Sequence, residues 1–350
     1  MTKNFLEIVL FGDSMAWSPG VAVGKRYADF IEEKISSALG ENWIVDVAAC
    51  GDGGNTAQEG FERLERDCIS YQPHIVALSF GANDSIRAPD REQFKFFYRK
   101  IINHIKQNAT EHIILETIPT LDPKLHSQRN NPLALFYGGL EAYVEFFSHS
   151  FIRETGKNEN ILVHDRFKIY HQEIEKEPEL REKWIQKDGV HLTEQGNEFF
   201  AHSLVSIILP IVPQIHQVFV NAENFLQQAQ LNPIYIDCLS ALKTGNLKEY
   251  LSQSQNLKRL MLQKSRSFSR RAIAFSDNEK VRNEAMIVEC FACGFMAAEK
   301  IFNTQEKVII EKSRQWAILQ LEKISEDASA KKLIEYLSSI SNWEIQTSSR

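Results

Sequence analysis

The sequence lacks a long apolar run and a large excess of charge of either sign. A membrane-spanning helix needs roughly 18–20 apolar residues. The longest candidate here, 204–212, is much shorter and is interrupted by Pro210. A formal net charge of −6 gives no reason to expect binding to nucleic acid. The sequence therefore predicts neither a membrane span nor a nucleic-acid-binding function.

The start of the chain also lacks the charged segment, apolar core and small-residue cleavage site of a signal peptide. Four residues, Met1-Thr-Lys-Asn, are followed at once by an apolar run over 5–11 that resembles a first strand. Removal of this run would remove that strand from the fold. We therefore expect a cytoplasmic protein.

Cysteine is scarce, with five residues in the whole chain. Their odd number and scattered spacing argue against a disulfide framework. Cys290 and Cys293 have C-x-x-C spacing, but they lie in a helical stretch with no second pair. Because free cysteine is commonly buried, we interpret both as core residues of one helix.

The chain up to residue 213 alternates short apolar runs with amphipathic stretches. This alternation predicts an α/β fold with a parallel sheet, helices on both faces, and a site at the carboxyl ends of the strands. The predicted strands are 7–11, 43–48, 74–80, 112–117 and 160–164, and the predicted helices are 25–39, 57–71, 91–108, 135–155 and 193–209.

The pattern changes after Pro210 and Pro213, where only helical periodicity follows. We predict an α/β domain over 1–213 and an all-helical domain over 214–350. The predicted helices of the second domain are 216–230, 234–244, 247–275, 279–302, 305–326 and 330–341.

A basic window without acidic residues lies in the third of these helices. A solvated helix face is the simpler interpretation of such a window, and a surface for an acidic partner, a phosphate group or an acyl carrier is the alternative. The window contains Lys258, Arg259, Lys264, Arg266, Arg270 and Arg271.

Two motifs supply the parts of a nucleophilic site. Ser14 lies in Gly-Asp-Ser at the end of the first predicted strand, and a serine hydroxyl needs an adjacent base to act as a nucleophile. Asp188-Gly-Val-His191 places a carboxylate three residues before an imidazole. This spacing allows Asp188 to orient His191 towards the serine, as in a Ser-His-Asp triad.

Two further motifs supply hydrogen-bond donors for a developing oxyanion. Asn83, in Gly-Ala-Asn-Asp, follows the predicted strand 74–80, and its side-chain amide is a suitable donor. The neighbouring glycines Gly53 and Gly54 precede the predicted helix 57–71, where a backbone N–H is a second candidate donor. We interpret Asp13 and Asp84, beside these motifs, as structural turn or cap residues.

Together, and in this order, the four motifs resemble the SGNH hydrolase superfamily, also called GDSL lipases and esterases. The resemblance covers residues 5 to about 208 and implies a three-layer, flavodoxin-like α/β/α fold. It implies Ser14 as nucleophile, His191 as base and Asp188 as the orienting acid. It also implies an oxyanion hole of the Ser14 N–H, Gly54 and Asn83, with Gly54 favoured over Gly53 and Gly51.

The implied function is hydrolysis of a small-molecule carboxylic ester or thioester through an acyl-enzyme, without a metal or cofactor. The same residues suit an acyltransferase, in which an alcohol or amine replaces water as the acceptor. A binding or scaffold protein on a retained hydrolase fold is the non-enzymatic alternative. The polar segment 119–132, with His126 and Arg129, is predicted to be a loop over the site. The helical domain is a candidate for homo-oligomer formation.

Overall fold

A five-stranded parallel sheet forms the centre of the computed structural model, which describes residues 2–215, 221–253, 256–304 and 306–340. The strand order is β2-β1-β3-β4-β5, as expected when each strand returns through a helical crossover. The apolar runs form the strands because both faces of a parallel sheet are covered by helices. The strands are β1 Asn4–Gly12, β2 Trp43–Gly51, β3 Ile75–Ser79, β4 Ile113–Glu116 and β5 Leu162–His164.

Helices flank this sheet, with α2 (Tyr27–Leu39) packed against α11 (Glu194–Ile208) and α3 (Ala57–Asp67) packed against α5 (Arg91–Asn108). This confirms the α/β fold predicted for the first part of the chain. The other helices of this part are α1 Ser14–Trp17, α4 Ala82–Arg87, α6 Pro132–Phe136, α7 Leu140–Val144, α8 Ser150–Glu159, α9 Arg166–Lys176 and α10 Leu180–Trp184.

The single helix predicted over 135–155 is wrong. Three α-helices, α6, α7 and α8, and a π-helical turn at Glu145–His149 cover this region instead. Gly138 and Gly139 separate α6 from α7 with φ values of 88° and 126°. Glycine adopts these angles readily, and they are incompatible with a right-handed helix. The helices α9 and α10 were not predicted from the sequence.

The described residues after 215 form helices joined by short connections, which confirms the all-helical prediction for them. The predicted helix over 247–275 is two helices, and its residues 254 and 255 lie outside the described residues. Residues 216–220, 305 and 341 of the three predicted helices 216–230, 305–326 and 330–341 also lie outside them. The helices are α12 Ala222–Gln230, α13 Pro233–Thr244, α14 Leu247–Ser252, α15 Asn256–Phe275, α16 Glu279–Phe302, α17 Lys307–Leu321 and α18 Ala328–Ser339.

Two hydrophobic clusters correspond broadly to these two parts. One surrounds the sheet and includes Leu260 of α15, and the other fills the helical part and includes Val23. Cys290 and Cys293 are buried free cysteines in the second cluster, and burial raises the pKa of each thiol to about 12. Among the described residues, no helix is both long enough and apolar enough to cross a membrane.

The basic window of α15 is neither a solvated face nor an exposed surface for an acidic partner. Arg259, Arg266 and Arg271 are buried, and their guanidinium groups donate hydrogen bonds to backbone carbonyls of the α/β part. Arg270, with a side chain 15% exposed, does the same. Both sequence interpretations are corrected because the cations meet acceptors within their own chain.

Candidate active site

Ser14 is the first residue of α1 and lies two residues after Gly12, which ends β1. Asp13 caps this short helix by accepting a 2.9 Å hydrogen bond from the Met15 N–H. Gly12 is required because a Cβ there would lie 2.3 Å from the Ser79 carbonyl oxygen. The Gly-Asp-Ser sequence therefore turns the chain from strand to helix and places the hydroxyl at the sheet's carboxyl edge.

The loop before α11 brings His191 and Asp188 to the same edge. Nε2 of His191 lies 2.8 Å from Ser14 Oγ, and Nδ1 of His191 lies 2.6 Å from Asp188 Oδ2. Because a carboxylate accepts, the hydrogen is on Nδ1, and Nε2 is left to accept from the serine hydroxyl. Gly189 has a φ of 78°, which forms the turn between the two residues.

The Asp188 carboxylate is fixed by more than the imidazole. Its Oδ1 accepts hydrogen bonds from the N–H groups of Val190 at 3.0 Å and His191 at 3.1 Å. Partial burial acts to raise the pKa of Asp188, but the hydrogen bonds from His191 and the backbone outweigh it and lower the pKa to about 2. The residue is therefore a carboxylate at neutral pH, as the orientation of the imidazole requires.

Gly54 lies in the turn between β2 and α3, where it has a φ of 82°. Its carbonyl accepts from the Arg87 guanidinium, and Thr56 caps α3 two residues later. Among the described residues, neither the Gly54 N–H nor the Ser14 N–H donates to a protein acceptor. Both backbone groups are thus available to a ligand.

Asn83 lies on α4, directly after β3. Its Nδ2 donates to Asp13 Oδ2 at 3.0 Å and to the Asn55 carbonyl at 3.2 Å. These bonds join the turn that carries Ser14 to the turn that carries Gly54. The structure therefore connects Asn83 to both neighbouring motifs, and its amide protons already have acceptors within the protein.

Two arginines at this edge were missed by the sequence analysis. Arg63 of α3 donates to the carbonyls of Gly12 at 2.5 Å and Cys50 at 2.9 Å, and to Asn55 Oδ1 at 2.7 Å. Arg166, fully buried, donates to Thr117 O and to Ser79 Oγ, both at 2.8 Å. For Arg63 the sequence signal was an arginine within the amphipathic helix predicted after the Gly53-Gly54 motif, whereas Arg166 is the first residue of α9, which was not predicted.

Asp84 accepts a 2.9 Å hydrogen bond from the Ala57 N–H at the start of α3, in agreement with a capping role. Burial is the main cause that raises the pKa of this carboxyl to about 7. Asp13 is also buried, and burial raises its pKa. Both carboxyls therefore fix the turns around the site.

The segment 119–132 lies against the loop that carries Asp188. The Asp122 N–H donates to the Gly189 carbonyl at 2.7 Å, and a Cβ at Gly189 would lie 2.9 Å from Leu125 Cβ. Burial lowers the pKa of His126, whereas the charge of Asp188 acts to raise it. The segment thus borders the site, and its contact with a substrate stays a prediction.

The α/β part of the chain is similar to a known protein family. The model of the GDSL-like Lipase/Acylhydrolase family matches residues 10–199. The chain belongs to this family. GDSL-like enzymes are hydrolases of the esterase and lipase type, so this chain is an esterase-type hydrolase whose substrates are small-molecule esters.

One relative of this chain is "Thioesterase 1/protease 1/lysophospholipase L1" of Escherichia coli (strain K12). It is 22% identical over 205 residues, which are 59% of this chain and 84% of that protein. Among solved structures, a lipase/acylhydrolase from Enterococcus faecalis is 24% identical, covers 61% of this chain and 100% of its own, and has a TM-score of 0.47. The acetyl xylan esterase AlAXEase is 22% identical, covers 58% and 100%, and has a TM-score of 0.47.

Proposed function

We propose that the protein hydrolyses a carboxylic ester or thioester through an acyl-enzyme formed on Ser14. The observation that carries the proposal is the continuous chain of hydrogen bonds from Ser14 through His191 to Asp188, at 2.8 and 2.6 Å. A serine, an imidazole and a carboxylate within hydrogen-bonding distance in this order are the parts that activate a hydroxyl nucleophile.

In the first step, Nε2 of His191 takes the Ser14 proton while Oγ bonds to the acyl carbon. The C=O π electrons move to oxygen, and the resulting oxyanion accepts hydrogen bonds from the N–H groups of Ser14 and Gly54 and from the Asn83 amide. Since Asn83 already has two acceptors, its longer bond, to Asn55 O at 3.2 Å, is the one exchanged for the oxyanion. Collapse of this intermediate expels the alcohol or thiol, which takes the proton from His191.

Water then attacks the acyl-enzyme with His191 again as base, and the acid leaves Ser14 free. The exposure of the triad supports water as the acceptor, because the side chains of His191 and Asp188 are 22% and 45% exposed. Water therefore reaches the imidazole directly. An acyltransferase benefits from excluding water at this point, so hydrolysis is the function that the geometry favours.

The first test uses Ser14→Ala and His191→Ala in hydrolysis of short p-nitrophenyl esters. Each variant is expected to lose at least about 10³-fold in kcat/KM, because nucleophile and base act as one unit. Asp188→Asn should cost less than either, since the carboxylate orients the imidazole without reacting. A fluorophosphonate probe should label Ser14 in the unmodified protein, as located by peptide mass spectrometry.

His104→Ala is the matched control, because His104 also pairs with a carboxylate, Glu65 at 3.1 Å, but on the surface of α5 and α3. It should retain full activity. Undiminished turnover in Ser14→Ala, with that variant folded, would refute the assignment of the nucleophile. An inert Ser14 in the unmodified protein would favour the scaffold alternative.

The cytoplasmic location, homo-oligomer formation through the helical part, independence from metals and cofactors, and the division into domains at 213/214 stay predictions. Gel filtration with light scattering tests the oligomeric state, and activity after treatment with a chelator tests the metal prediction. Limited proteolysis near residue 213 tests the domain boundary.

A further inference from the structure

A guanidinium group from the helical part lies at the carboxyl end of β2. Arg259 of α15 donates from Nη1 to the Ala49 carbonyl and from Nη2 to the Gly51 carbonyl, both at 2.6 Å. The residue is only 3% exposed. Gly51 is the last residue of β2, and the turn that carries Gly54 begins immediately after it.

The same guanidinium contacts the helix that carries the nucleophile. Its Cζ lies 5.2 Å from the ring centroid of Trp17, the last residue of α1, whose first residue is Ser14. Trp17 also lies against the turn that carries Gly54. A Cβ placed on the neighbouring Gly53 would be 3.6 Å from the Trp17 indole. Arg259 therefore touches both segments that supply the proposed backbone oxyanion donors.

We propose that Arg259 is a positioning residue for the oxyanion hole and makes the helical part of the chain a component of the active site. It holds the end of β2 at a fixed distance from α1, and so holds the Gly54 N–H in place relative to the Ser14 N–H. The proposal rests on the function proposed above. Arg259 does not touch the reacting atoms and acts through Gly51 and Trp17.

The physical reason is the fork of the guanidinium. Two N–H groups in one plane reach two carbonyls on the same side of a strand, while the face of the plane stacks on an aromatic ring. An ammonium group offers the charge but not the fork. Without the fork, the Gly54 N–H is free to shift relative to the Ser14 N–H. A shift of about 1 Å in a group that stabilises the transition state can lower the rate about 100-fold, even when the substitution is distant from the reacting atoms.

Arg63 shows that the same strand end is held from the α/β part as well. It binds the carbonyls of Gly12 and Cys50, whereas Arg259 binds those of Ala49 and Gly51. Carbonyls of successive residues in a strand point in opposite directions. The end of β2 is thus clamped between two arginines, one from each part of the chain, and loss of Arg259 leaves one side of this clamp open.

Arg271 offers a matched control on the same helix. It is 4% exposed, against 3% for Arg259, and it also donates to carbonyls of the α/β part, those of Tyr71 and Gln72. It lies at the opposite end of the sheet, where it pairs with Glu7 of β1 at 3.5 Å. Its loss removes a buried contact between the two parts without touching the segments of the site.

The experiment compares Arg259→Met, Arg259→Lys and Arg271→Met in the full-length chain. It measures kcat and KM for p-nitrophenyl butyrate, the second-order rate constant for labelling of Ser14 by a fluorophosphonate, and the unfolding midpoint. Arg259→Met is expected to lower kcat and the labelling rate by about 10- to 100-fold, with KM changed less than about threefold. Arg259→Lys should lie between Arg259→Met and the unmodified protein.

Arg271→Met should lower the unfolding midpoint while kcat and the labelling rate stay within about twofold. The proposal is overturned if the two methionine variants change activity equally, or if folded Arg259→Met keeps its labelling rate. If Arg259→Met does not fold, Arg259→Lys decides, and an unchanged kcat in it overturns the proposal. Retained activity in Ser14→Ala is a different result, because it removes the proposed function itself.

Discussion

The two edge strands of the sheet differ in length and in whether other parts of the chain bind their outward carbonyls. At one edge, β2 has nine residues, and its outward carbonyls are bound by arginines of α15. At the other edge, β5 has three residues, and Leu162 at its start is 48% exposed. The arginine contacts at the β2 edge are those of Arg270 with Val45, Arg266 with Val47, and Arg259 with Ala49 and Gly51.

This difference shows what the helical part does for the fold. An unpaired strand edge is a template for association with other chains, and proteins shorten such edges or cover them. The β5 edge is short, whereas the β2 edge is long and is covered by donors that replace the missing neighbouring strand. The helical part therefore completes the sheet as well as contacting the site.

The largest effect on this comparison is expected from Arg266→Met. Arg266 is buried and pairs with the fully buried Asp46 at 3.1 Å, so its removal leaves a buried carboxylate with less compensation. Breaking a buried ion pair costs about 3–5 kcal/mol, and we expect a loss of this size in urea-induced unfolding. Arg314→Met is the control, since Arg314 pairs with the exposed Glu311 and should cost less than about 1 kcal/mol. Equal losses would show that the β2 edge does not need its arginine cover.

A smaller effect is expected from Glu32→Gln. Glu32 accepts from the Val47 N–H at 3.1 Å and pairs with Arg270 at 2.8 Å. Its burial acts to raise its pKa, but the charges of Arg270 and Arg266 outweigh this and hold the pKa below its ordinary value. At pH 7 the variant should lose about 1–3 kcal/mol of unfolding free energy.

The pH dependence of this difference follows from the sign of the shift. Because the pKa of Glu32 is lower in the folded protein than in the unfolded chain, its stabilisation is complete above the unfolded pKa. It is lost as pH falls through the folded pKa. The difference between the unmodified protein and Glu32→Gln should therefore shrink as pH falls from about 5 to about 3. A difference that is constant over this range would contradict the ion-pair assignment.

The smallest effect is expected at the other edge, from Leu162→Thr. The Leu162 side chain is about half exposed and lies on a strand of three residues. Its replacement should therefore change the unfolding free energy by about 0.5 kcal/mol or less. The matched substitution at the covered edge is Val47→Thr, at a residue only 1% exposed. Burial of its hydroxyl should cost about 1–3 kcal/mol. Equal effects of the two substitutions in urea-induced unfolding would remove the contrast between the edges.

The close approach of Ser14, His191 and Asp188 was predictable from the sequence because these residues lie in short, chemically restricted motifs. Asp188 and His191 are three residues apart, and their 2.6 Å contact needs only the turn at Gly189. Ser14 and Asn83 follow predicted strands, and strand ends of a parallel sheet meet at one edge. The connection of Asn83 to Asp13 and to Asn55 was not predictable, since an amide motif does not specify its acceptors.

The arginines of α15 were predicted wrongly because their partners are distant in the chain. A helix with regularly spaced cations and no acids resembles a solvated face when read alone. The sequence signal that was overlooked lay in the predicted strands, not in the helix. Glu7 and Asp46 are acidic residues within apolar strands, and both are fully buried. An acidic residue inside a buried strand indicates that a cation lies nearby or that the carboxyl is protonated, and the acid-free window with the most cations in the sequence was the one in α15.

The contacts of Arg259 with Ala49 and Gly51 join residues about 200 positions apart in the chain. During synthesis from the N-terminus, β2 is complete long before α15 leaves the ribosome, so the carbonyls of its edge meet only water or other chains in that interval. Strand edges that are transiently open in this way promote aggregation of nascent chains. The helix α15, which is made after the whole sheet, thus ends this exposure.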